Sequence, residues 1–176
     1  MRALLVCASV GAAALLLTAG FAGDRQPIPF GTQTSVDFFV SACKGSADDL
    51  SAVARLAQQQ SWTSILDPDI HDDSPLKVTG MWRVNQNGQS YIVSTGIGPG
   101  TSTACQVMFD DLKPRRDDFL KGVSSAMMLR AEIDQGSTSW RTEIYQIEDL
   151  APNFVTLLFV SSPDGSVYHA SVMGRR

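Results

Sequence analysis

Three successive runs between residues 77 and 109 alternate apolar and polar side chains, and this stretch constrains the fold more than any other. In the first run Val78, Gly80, Trp82 and Val84 share one face, with Lys77, Thr79, Met81 and Arg83 on the other. A period of two is that of a β-strand. Asn87-Gly88 follows, the dipeptide that most strongly specifies a two-residue hairpin, because both turn positions require positive φ. Tyr91, Val93 and Thr95 continue the return strand; beyond Gly96-Ile97-Gly98-Pro99-Gly100, Thr103, Cys105, Val107 and Phe109 alternate again. Three antiparallel strands with a common apolar face need a second layer to cover it.

The cover is predicted upstream. Val36, Phe39, Val40 and Cys43 recur at i, i+3, i+4 and i+7, the stripe of an amphipathic helix, with Ser35 as its N-cap and Lys44-Gly45 as its end. Ser46-Ala47-Asp48-Asp49 opens a second helix, in which Leu50, Val53, Ala54 and Ala57 repeat the spacing before Trp62. Residues 23–34, with Pro27 and Pro29, read as an extended leader, and residues 66–75 as a polar surface loop.

Helical and strand periods converge on two cysteines. Cys43 lies on the helical stripe and Cys105 on the Val107/Phe109 face. Both thiols should therefore point into the layer between helix and sheet and form a structural disulfide.

The C-terminal half repeats the pattern without sequence self-similarity. Pro114, Asp117 and Asp118 suit the first turn of a helix carrying Phe119, Val123, Ala126 and Met127. Residues 129–134 are a strand or the frayed helix end. Strands are expected at 140–147, at 154–161 (apolar on both faces, hence central) and at 167–173, after the Ser162-Pro163-Asp164-Gly165 turn. The expected fold is α+β: an antiparallel sheet of six or seven strands with helices packed on one face, in the order α-βββ-α-β(β)ββ.

The first 22 residues carry the layout of a secretory signal. Met1-Arg2 is followed by an apolar run and by Thr18-Ala19-Gly20-Phe21-Ala22, with small residues at −3 and −1 if cleavage follows Ala22. Residues 3–22 are also long enough for an uncleaved anchor. Removal of 1–22 takes Cys7 with it and leaves Cys43 and Cys105 in one disulfide-stapled domain at 35–176, matching a periplasmic or secreted location.

Chemistry is sparse. The formal net charge of −4 argues against a nucleic-acid partner. Asp67, Asp69, Asp72, Asp73 and His71 crowd one loop, but Asp72 and Val78 occupy the EF-hand positions that need Gly and Glu. No metal or cofactor is expected. His71 and His169 are the only candidate bases, and no Gly-x-Ser-x-Gly is present. Trp82 (with Val84) and Trp140 (with Ile144) are read as core. Tyr145, with Arg141 and Glu143, falls on the solvated sheet face beside Met81 and Arg83. Met81, Arg83, Arg141 and Tyr145 thus form a candidate protein-contact face.

Phe39-Val40-Ser41-Ala42-Cys43, a polar break, and Ala54-Arg55-Leu56-Ala57 running into Trp62 resemble small secreted bacterial proteins of unknown function. Where their pattern has Gly before the Trp, this chain has Ser61. The resemblance implies export and a cysteine pairing with a later strand, and no activity. The expected function is that of an exported, non-catalytic binding or accessory domain. Its partner would be an envelope protein, with no membrane contact after signal cleavage. The alternative is a small hydrolase using His169 or His71 as base.

Overall fold

The computed structural model describes residues 30–47, 49–66, 77–99, 102–136, 140–150 and 154–175. The signal region, most of the acidic loop with His71, and Asp48 lie outside the described residues. Helix α1 spans Phe30–Cys43, a 3-10 turn Lys44–Ala47 and α2 Ser51–Gln59. Strands β1 (Thr63–Ser64), β2 (Lys77–Gln86), β3 (Gln89–Ile97) and β4 (Thr103–Phe109) follow, then α3 at Arg116–Ala126. The last strands are β5 (Leu129–Gly136), β6 (Arg141–Ile147), β7 (Phe154–Ser161) and β8 (Val167–Arg175), with a 3-10 turn at Glu148–Leu150.

All eight strands join one antiparallel sheet in the order β1-β2-β3-β4-β8-β7-β6-β5. The α+β class and the antiparallel sheet agree with the sequence. The strand number is higher, because residues 129–136 pair with β6 rather than fray from the helix, and because Thr63–Ser64 forms an unanticipated edge strand on Arg83 and Trp82. Each half is a meander, and the two meet where β4 pairs with β8. The β2–β3 turn has φ 52° at Asn87 and 74° at Gly88, both in the left-handed region the hairpin demands.

Helix α1 starts at Phe30, so the extended leader expected over 23–34 does not reach residue 34, and Ser35 is an interior helical residue rather than the N-cap. Its fully buried hydroxyl lies 3.1 Å from the Gly31 carbonyl and 3.0 Å from Oε1 of Gln89. A tertiary partner 54 residues away replaces the capping role that local pattern assigned to it. The second helix is capped by Asp49, whose Oδ1 accepts the Ser51 amide at 2.9 Å. The hydrogen bonds from Ser51 and Arg55 hold the Asp49 carboxyl down at about 2. Ser61 closes this helix at φ 55°.

Register rows show which side chains share a face. Trp82, Val93, Val107, Ala170, Phe159 and Glu143 stand in one row across β2, β3, β4, β8, β7 and β6. The helices cover this face. Cys43 of α1 is bonded to Cys105 of β4 with Cα atoms 5.5 Å apart, and both residues are fully buried. Phe119 of α3 packs edge-on against Phe109 and Phe159, and Phe39 of α1 against Phe119. Aromatic contacts run on through Tyr91, Phe38 and Trp62 to Trp82 at one end and through Phe159 to Tyr145 at the other. Trp82 folds back over Gly80, where a Cβ would lie 2.2 Å from its ring. Every one of these helix-to-sheet contacts falls on the same face.

Candidate functional site

The four residues of the expected contact face are not brought together. Met81 and Arg83 alternate with Trp82 and so lie on the face opposite the helices. Tyr145 stacks on Phe159 with ring centroids 5.7 Å apart, which puts it and Arg141 on the helix face, with four strands between β6 and β2. A shallow groove of about 290 Å3 between residues 60–63 and 83–86 takes in Arg83 and none of the other three.

The phase of β6 is inverted because Glu143, which makes this stretch look solvated, has a partner on another element. Glu143 is only 2 % exposed. Its Oε1 accepts Nε of Arg116, from the start of α3, and Nε of Arg141 at 3.0 Å. Its Oε2 accepts Nη2 of Arg116 at 2.8 Å and the Tyr145 hydroxyl at 2.6 Å. Arg116 also pairs with Asp117. The bond to Glu143 raises the Arg116 pKa further above its ordinary value. Burial, followed by the bond to Glu143, pushes the Tyr145 phenol up to about 12. With four donors on two oxygens the carboxylate is saturated, so the cluster locks the first turn of α3 onto β6. A lone Glu between Arg141 and Tyr145 was the signal for it, but its decisive partner lies 27 residues upstream.

Trp140, expected in the core, is 47 % exposed. It meets Tyr168 edge-on at 5.0 Å, and the ammonium of Lys113 sits 4.8 Å from the centre of the Tyr168 ring. A bulge at the β7–β8 pairing displaces Tyr168 and turns Val167 into the core in its place. Ala170 and Val172 face the core.

His169 lies on the face opposite the helices, in the row of Met108 and Val160. Burial lowers its pKa, and its Nε2 is enclosed without a hydrogen-bond partner. Ser161 is likewise unpartnered, but the alternation of β7 sets it on the helix face. No base–nucleophile pair is therefore formed through Nε2 of His169. His71, the other candidate base, is outside the described residues, as are Asp67, Asp69, Asp72 and Asp73. Among the described residues no three His, Cys, Asp or Glu side chains are grouped to hold a metal, and no helix is long and apolar enough to cross a membrane.

The face opposite the helices has a composition of its own. Across β3, β4, β8, β7 and β6 its rows are Ile92-Met108-His169-Val160-Thr142, Ser94-Gln106-Ser171-Leu158-Ile144 and Gly96-Ala104-Met173-Thr156-Gln146. None of these fifteen positions holds Asp, Glu, Lys or Arg, where an ordinary solvated surface of that size would carry roughly four or five. The first charges are at the rims, Arg83 on β2 beside Ile92 and Arg130 on β5 beside Gln146. Compared with known protein families, curated proteins and solved structures, the chain matches none of them.

Proposed function

We propose that the protein is an exported, non-catalytic binding domain that makes a protein contact in the cell envelope through the sheet face opposite its helices. One observation carries the reading: fifteen adjoining sheet positions without a formal charge. An antiparallel sheet that faces water on one side normally sets polar and charged residues there. Here Glu143 holds its arginines on the helix face, while the opposite side carries the exposed Met108 and the half-buried Ile92, Met173, Leu158, Val160 and Ile144. Depletion of charge at the centre of a surface is the compositional mark of a protein contact. The buried disulfide fits an oxidising compartment, and the signal-like residues 1–22 supply the route.

Two measurements test this. N-terminal sequencing of the protein from the envelope fraction should start at or near Gly23; an intact Met1 in the membrane pellet would replace export by anchoring. Radical footprinting in intact envelopes should find Met108 and Met173 protected relative to the purified Leu158→Arg variant. Equal modification in both would remove the contact face.

A further inference from the structure

We propose that the occupant of this face is a second copy of the same chain, packed sheet against sheet; the inference rests on the contact-face reading above. In an isologous dimer each residue near the two-fold axis meets its own equivalent. A charge there would face its like, which is unfavourable however the rest of the interface is arranged. The centre of a face that pairs with itself is therefore favoured to shed charge of both signs, and these fifteen positions carry neither. A partner of different sequence makes no such demand. For it, complementary charge would supply steering and register, and the centre of this face offers nothing to complement.

Size agrees. Five strands at about 4.8 Å spacing and three outward residues on each make a patch about 24 Å by 17 Å. With side-chain relief that is on the order of 600 Å2 of accessible surface, so two copies would bury on the order of 1,200 Å2, where stable specific interfaces begin. Rim residues add to it: Met81 on one side and the exposed Trp140 and Tyr168 at one end. The half-buried polar groups in the patch (Gln106, Thr142, Thr156) are neutral and can exchange hydrogen bonds with a copy of the same set, while Ser94 and Ser171 are buried and bonded within the chain.

The test is sedimentation of the purified protein across micromolar concentrations. The expected species has twice the chain mass of 19.0 kDa, less twice the leader where that has been removed. It should tighten slightly as salt is raised, because each copy carries net negative charge. Gln106→Lys sits in the middle row on a half-buried site and should weaken association at least ~100-fold through two like charges brought together. Its near-ultraviolet circular dichroism should match the parent. Leu158→Arg is the second variant, and Gln58→Lys on the outer side of α2 is the control that leaves the dimer intact.

A dimer that survives both face variants overturns the proposal, as does a monomer at every concentration. Peroxide oxidation of Met108 and Met173 then separates the two readings. Protection only in envelope extract overturns self-pairing and keeps the contact face; oxidation in both extract and pure protein as fast as in the Leu158→Arg variant overturns both.

Discussion

Replacing Cys43 and Cys105 together by Ala should lower the melting temperature by about 10–15 °C. The bridge closes 62 residues, and the chain-entropy account assigns a loop of that length about 14 cal/mol/K, hence about 4 kcal/mol at 25 °C. Unfolding entropy near about 2.1 cal/mol/K per residue, over about 150 folded residues, amounts to roughly 0.3 kcal/mol/K. The quotient is about 13 °C. Packing adds little, because both residues are fully buried and Cys105 Sγ lies 3.8 Å from the Ala42 carbonyl with no closer polar contact among the described residues. Cys43→Ala, Cys105→Ala and the double variant should agree within about 0.5 kcal/mol, since each removes the same link. In urea the m-value should rise, because an uncrosslinked denatured chain exposes more surface. Circular dichroism melts, urea titrations and thiol labelling of denatured, unreduced protein check this. Two labels per chain, or a double variant melting within about 3 °C of the parent, would refute the reasoning.

Other consequences follow from single positions. Glu143→Ala leaves Arg116, Arg141 and the Tyr145 hydroxyl without their acceptor. Breaking a buried pair costs about 3–5 kcal/mol, which the partial exposure of both arginines reduces to about 2–3 kcal/mol; urea unfolding of Glu143→Ala, Arg116→Ala and the double variant should show strong non-additivity. Glu143→Gln should bring the Tyr145 phenol down from about 12, read by ultraviolet titration. Ser61→Gly should raise stability by about 0.5–1 kcal/mol, since a left-handed φ of 55° costs Ser more than Gly; a loss of stability would show that Ser61 is held by contacts rather than tolerated. His169 has a folded pKa below its ordinary 6.5, so the unfolded chain binds the extra proton first and stability falls as pH drops below that value. The parent minus His169→Gln difference in melting temperature should be flat above pH 7 and decline below about 6.5; a flat difference down to pH 5 would contradict the burial of this imidazole.

Where local pattern and tertiary partner agree, the fold was legible. Asn87-Gly88 places the β2–β3 hairpin, and two independent periods place Cys43 against Cys105. The errors share one cause. Ser35 was read as a cap because its partner, Gln89, is 54 residues away. Tyr145 and Arg141 were placed outside because Glu143 looks solvated until Arg116 is brought to it, and with that inversion Trp140 was placed inside. In β8 a bulge shifts the alternation by one residue, so that Val167 and not Tyr168 is in the core. The contact face was sought as a cluster of arginines and an aromatic. The proposed contact face is instead a charge deficit spread over five strands, visible only once register aligns them.

The seam between β4 and β8 also sets an order of events during synthesis. β4 needs on its far side a strand that is translated last of the eight. Until β8 arrives, the β1–β4 meander presents β4 as a bare hydrogen-bonding edge, with Cys105, Val107 and Phe109 on the adjoining face. The cysteines, however, both belong to the earlier half, and their bridge can close before β5 exists. Such a bridge would hold α1 over the face of β4 while its edge waits, shielding the part of the nascent chain most prone to pair with a neighbour. Chains made in a reducing environment should therefore lose yield mainly to aggregation during refolding, beyond what their lower stability alone predicts.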